Sequence, residues 1–159
     1  MAIFIPGSRC VICKQPVAAG EQVLFPPFTG NLSDPIYDFS DAVAHQKCFI
    51  EAPERQQVEA VLERIGEMGR NRVCLVCRLP IRNPDEYFPL MHLTEDPANP
   101  LWCWNFTQFH RSCLPKWDHL QSAIKQMRVE LSVRRWRGPA MERIVQQLER
   151  AANQAGVSQ

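Results

Sequence analysis

Cys10-Val11-Ile12-Cys13-Lys14-Gln15-Pro16 and His45-Gln46-Lys47-Cys48 return later in the chain as Cys74-Leu75-Val76-Cys77-Arg78-Leu79-Pro80 and His110-Arg111-Ser112-Cys113. The first segments lie 64 positions apart and the second 65. Two residues between ligands let one short turn aim both at a single ion, the spacing that structural zinc sites use. One such pair is a weak signal, but four in a repeating order specify metal binding. The candidate ligands are Cys10, Cys13, His45, Cys48, Cys74, Cys77, His110 and Cys113.

The repeat continues between the ligands, and this bears on how they group. Phe25-Pro26 is set against Phe88-Pro89, and Pro35-Ile36-Tyr37 through His45 runs without a gap against Pro100-Leu101-Trp102 through His110. A fixed period marks a duplicated supersecondary unit, although two copies are too few for a solenoid. If each copy is a unit, each closes its own Cys3His site, and this sequential grouping is the expectation. The rival is a cross-brace that joins the two Cys-x-x-Cys motifs at one ion and the two His-x-x-Cys motifs at the other.

A copy of roughly 60 residues is near the size where a hydrophobic core alone is marginal and metals often help. Structural zinc can contribute an apparent ~10–16 kcal/mol to a small fold, against a whole domain's net stability of about 5–15 kcal/mol. Metal binding here should therefore mean folding. The composition, 45% hydrophobic and 22% charged, is that of a globular chain. Seven cysteines would allow three disulfides. However, Met1-Ala2-Ile3-Phe4-Ile5-Pro6 is too short for a signal peptide and lacks a basic start. No long apolar run suits a membrane. Cysteine usage then points to a reducing intracellular compartment, the cytoplasm first, and to ligation rather than disulfides.

Each copy reads as a turn with two cysteines, two extended segments, and a helix beginning near the His-x-x-Cys. Trp102-Cys103-Trp104-Asn105-Phe106 has the alternation of a half-buried strand, and Ile36 and Asp38 carry a weaker form of it. Val58, Val61, Leu62, Ile65 and Met68 form a helical stripe between Pro53 and Gly69; Trp117, Leu120, Ile124, Met127 and Leu131 form another. Gly138-Pro139 ends the second, and Pro139 starts a helix carrying Met141, Ile144, Val145 and Leu148. The expected units are 1–69, 70–137 and a C-terminal helix over 138–159, whose last five residues should fray.

This order of turn, hairpin and helix, with ligands from the turn and the helix start, resembles the treble-clef zinc finger group in two tandem copies. Cys-x-x-Cys…His-x-x-Cys is also similar to the first half of a LIM domain and shares ligand types with RING domains. The resemblance implies an α+β fold with packed C-terminal helices and two structural Zn2+ ions. It does not fix an activity, because treble clefs serve adaptors, nucleic-acid binders, ubiquitin ligases and nucleases alike.

Three thiolates and an imidazole fill a tetrahedral shell and leave no position for substrate, so the expected function is a non-catalytic module that binds another protein. The first alternative is nucleic-acid binding through Arg134, Arg135, Trp136 and Arg137, where cations and an aromatic could grip phosphate and stack a base. A cluster at a helix C-terminus explains the same charges through the dipole. The second alternative is an enzyme, either a RING-like ubiquitin ligase factor or an H-N-H-type nuclease with Asp38 or Asp41 near His45. Residues 1–69 carry net −4 and residues 70–159 net +5. Lys14 and Arg78 either offset the charge of a Cys3His zinc site or are simply solvated. Cys103 reads as a small buried hydrophobe, and His92 and His119 as surface or packing histidines.

Overall fold

Lys14 and Arg78 hold the left-handed backbone conformation, at φ 62° and 61°, in a computed structural model that describes residues 5 and 7–157. Residues other than glycine rarely adopt it, and here it closes the turn. The Cys10 N–H donates to Gln15 O at 2.9 Å and the Lys14 N–H to Cys10 O at 2.9 Å; Cys74 and Arg78 repeat the pattern at 3.0 and 2.9 Å. The rims of the two turns pair at Arg9–Pro16 and Val73–Pro80.

After each turn comes a hairpin of three-residue strands. In the first copy β1 (Gln22–Leu24) runs antiparallel to β2 (Val43–His45), with Gln22 opposite His45. A five-residue helix, α1 (Gln46–Ile50), follows, and then a long one, α2 (Arg55–Arg70). In the second copy β3 (Tyr87–Pro89) pairs with β4 (Gln108–His110), with Tyr87 opposite His110. The segment after His110 is a 3-10 helix, Arg111–Lys116, with Pro115 inside it. Proline has no N–H to give, which favours the short form there. Two further helices, α3 (Leu120–Ser132) and α4 (Ala140–Val157), complete the chain. The architecture is a mixture of helices and small antiparallel sheets, consistent with α+β.

The strand register corrects one element of the sequence alignment. Gln22 matches Tyr87, so Phe25 is equivalent to Leu90 rather than to Phe88. Phe25 N–H donates to Ala42 O and Leu90 N–H to Thr107 O, the same bond in both copies, and both side chains are fully buried. From there the copies agree closely. Ser40 Oγ accepts from the N–H groups of Phe28 and Thr29; Asn105 Oδ1 accepts from those of Leu93 and Thr94. Asp41 and Phe106 share left-handed φ values of 57° and 58°.

Trp102–Phe106 is not a strand, and neither is the segment around Ile36 and Asp38. They form 3-10 helices at Pro100–Trp104 and Tyr37–Phe39. Asn99 Oδ1 accepts the Leu101 N–H at 2.9 Å ahead of Pro100, and Asp34 Oδ1 accepts the Ile36 N–H at 3.0 Å. An Asx side chain that captures the backbone two residues on starts a turn and overrides the apolar alternation.

Two cores result. Phe25, Phe28, Ile36, Phe39 and Phe49 pack with Val58 and Val61 of α2 in the first copy. In the second, Phe88, Leu90 and Phe109 pack with Trp117, Leu120, Ile124 and Met127, and with Met141, Val145 and Leu148 of α4. The helical stripes are thus core faces, with Leu62, Ile65 and Leu131 at their edges. Residues 158 and 159, part of the tail expected to fray, lie outside the described residues, as do residues 1–4 and 6 of the N-terminal segment. No described helix is long and apolar enough to cross a membrane.

The copies touch at the start of α4. Asn31 Nδ2 donates to Arg135 O at 3.2 Å, Arg137 N–H donates to Asn31 Oδ1 at 3.0 Å, and Leu32 N–H donates to Arg137 O at 2.9 Å. Gly30 allows this approach, because a Cβ there would sit 2.4 Å from Ala140 Cβ. Gly30→Ala should therefore destabilise the chain by about 1–3 kcal/mol in thermal unfolding, the cost of overpacking. Adding Ala140→Gly should recover part of the loss. An unchanged midpoint in Gly30→Ala would contradict this contact.

Candidate metal centres

Each turn presents two cysteines on one side, and the hairpin brings the other two ligands to them. His45 ends β2 and Cys48 lies in α1; His110 ends β4 and Cys113 lies in the 3-10 helix that follows. Val11 N–H donates to Val43 O at 2.8 Å and Leu75 N–H to Gln108 O at 2.7 Å, which ties each turn to the strand that bears its histidine.

The donor atoms of Cys10, Cys13, His45 and Cys48 lie within 4.8 Å of one another, and so do those of Cys74, Cys77, His110 and Cys113. The sites are sequential, and the cross-brace does not occur. Cys13 Sγ is 3.4 Å from His45 Nδ1, Cys48 Sγ is 3.8 Å from it, and Cys77 Sγ is 3.4 Å from His110 Nδ1. A tetrahedral zinc with bonds of about 2.3 Å to sulfur and about 2.0–2.1 Å to nitrogen would hold such atoms about 3.5 Å apart. The geometry fits, and each group could bind zinc.

The surroundings prepare the donors. Cys10 and Cys74 are fully buried. The His45 N–H points at Cys10 Sγ at 3.4 Å and the His110 N–H at Cys74 Sγ at 3.3 Å. Burial pushes the Cys10 thiol up, but backbone donors at Cys13, His45 and Ile12 outweigh it and bring it down to about 6. Cys74 follows suit, to about 6, through Cys77, His110 and Val76. Burial, then the neighbouring cysteines, raises Cys48 and Cys113 to about 11 each. One thiol per site is thus poised as a thiolate and another becomes one only when a cation arrives. His45 Nε2 lies 3.1 Å from Pro16 O. A proton on that nitrogen leaves Nδ1 free as the ligand, an outer partner of the kind that orients metal-bound imidazoles.

The other singled-out residues lie elsewhere. Cys103 is exposed, not buried: the 3-10 helix turns it outward, where its Sγ–H reaches Pro100 O at 3.3 Å. His119 is exposed beside Trp104, and His92 is buried. Trp136 is 4% exposed and belongs to the second core. Arg135 grips the Glu130 carboxylate with Nε at 2.8 Å and Nη2 at 2.9 Å, which holds that carboxyl below the usual range. Of the basic patch, Arg134, Arg135 and Arg137 are all exposed. Lys14 Nζ donates to Val11 O at 2.6 Å, inside its own turn.

One constellation went unnoticed in the sequence. His92 Nε2 lies 3.2 Å from Asp34 Oδ2 and 3.1 Å from Glu95 Oε1, across the junction of the copies. The repeat hides it, because Asp34 corresponds to Asn99 and His92 to Pro27.

With separate sites and separate cores, Cys48→Ser should lower hydrogen-exchange protection mainly in residues 7–70, and Cys113→Ser mainly in residues 71–157. Equal loss in both halves would mean one cooperative unit. Because Cys48 and Cys113 must release a proton to bind, apparent metal affinity should rise with pH, by about tenfold per unit near neutrality for each proton released; a flat profile would contradict this.

No protein family model, curated protein or solved structure matches this chain.

Proposed function

We propose that this chain is a zinc-stabilised, non-catalytic protein-interaction module built from two tandem treble-clef-like units. The observation that carries this reading is the donor set: three sulfurs and one imidazole nitrogen converge in each copy. That set prefers tetrahedral zinc and saturates its shell, as structural sites do and open catalytic sites do not. Thiolates kept free for ligation suit a reducing intracellular compartment.

The nucleic-acid alternative draws less support. Trp136 is committed to the core and Arg135 to Glu130, so no aromatic of that patch is free to stack a base. All three arginines are exposed, Arg135 while paired with Glu130, which is ordinary for the turn between two helices.

The zinc-loaded chain, immobilised and exposed to lysate of its native host, should retain a defined protein that is lost on chelation and restored by zinc. In the same preparation, binding to duplex or single-stranded nucleic acid should be weak and without sequence preference. Sub-micromolar nucleic-acid affinity at physiological salt, with a steep salt slope that Arg134→Ala with Arg137→Ala flattens, would overturn the adaptor reading.

A further inference from the structure

The two copies leave between them a cleft of about 700 Å³. Ala60 and Val61 on α2 form one wall; Trp102 and Phe106 of the second copy form the other. Trp102 is 42% exposed, a large apolar side chain left in water at the mouth of a concave, mostly apolar surface. Interface anchors are enriched in tryptophan and sit in such pockets.

The floor is polar, and of the two carboxylates near His92 only Glu95 lines the cleft; Asp34 lies behind it. His92, 2% exposed, faces Asp34 on one side and Glu95 on the other, and neither of its ring nitrogens is aligned for a hydrogen bond. Asp34 is already engaged by the Thr29 hydroxyl and the Ile36 N–H. Glu95 makes no hydrogen bond among the described residues, and 27% of its side chain is exposed. Burial raises the Glu95 carboxyl above its ordinary range, opposed by His92 and aided by Asp34, so a cation arriving there meets a carboxyl poorly matched by its own surroundings. Arg64 at the rim is held by Glu67 at 3.0 Å.

We propose that this cleft is the docking groove for a segment of a partner protein that presents a lysine or arginine beside an apolar side chain. The cation lies against the Trp102 indole and toward Glu95, where ring face and carboxylate attract it together. The apolar neighbour covers Ala60, Val61 and Phe106. Glu95 disfavours phosphate, and Arg64, the one cation in the lining, is paired with Glu67, so a cationic segment suits the cleft better than nucleic acid. The inference rests on the interaction-module reading and narrows its partner.

Cys103 provides a reporter, being the one cysteine outside the two ligand sets and lining the same cleft. The test is a random octapeptide library panned on the zinc-loaded full chain. Recovered peptides should pair Lys or Arg with an apolar residue and lack Asp and Glu. A saturating synthetic peptide of the recovered sequence should slow alkylation of Cys103 in the unaltered protein, a reading that depends on no variant. Its affinity should fall about tenfold or more in Trp102→Ala, as expected of an anchor, and by a smaller factor in Glu95→Gln. Acidic peptides, or no enrichment, would overturn the groove. Peptides that bind Trp102→Ala unchanged and leave Cys103 reactive would also overturn it, while leaving the interaction-module reading intact, since they would be held elsewhere.

Discussion

The convergence of three sulfurs and one imidazole nitrogen draws together segments that lie 35 residues apart in the first copy and 36 in the second. Strand pairing alone would not hold them, because each ladder is three residues long and a lone two-stranded hairpin is marginal in water. An ion shared by four donors would close that loop in one step and fix the angle between turn, hairpin and helix. The aromatic core then assembles on a frame already set: Phe25 packs edge-on against Phe39 and Phe49 at 5.5 and 4.9 Å. A bound ion would thus reinforce the core in a unit this small.

Above the level of one copy, stability comes from ordinary packing. The first copy closes its core with α2, while the second recruits α3 and α4. The copies are linked where the Gly30–Leu32 backbone meets the start of α4, where Asp34 meets His92, and where Phe106 packs against the first core. The polar groups Asn31 and Asp34 at this junction are buried, at 8% exposure each. The cleft beneath Trp102 lies at the same junction, sharing His92 with it.

Much of this was legible in the sequence, and what was not has physical causes. The ligands could be read because Cys-x-x-Cys and His-x-x-Cys obey coordination geometry whatever surrounds them. Their grouping followed from the period. The helical stripes held because Val58, Met127 and Leu148 answer to one periodicity. Trp102-Cys103-Trp104 misled, since its alternation imitates a strand while Asn99 and Pro100 start a 3-10 turn, and Cys103 accordingly faces water. Phe25 and Phe88 looked equivalent by residue type, yet backbone pairing places Leu90 opposite Phe25 in the repeat. Trp136 reads as part of a basic patch because its burial depends on α4 folding back over it. The Asp34–His92–Glu95 cluster had no signal at all, being a contact between copies at positions the duplication does not share.

X-ray absorption on the purified zinc protein, with elemental analysis of the same sample, decides whether both Cys3His clusters hold a metal ion. Two zinc ions per chain, each with three sulfur neighbours at about 2.3 Å and one nitrogen at about 2.0–2.1 Å, is the result this account requires. One zinc per chain, or a shell dominated by oxygen, would contradict it.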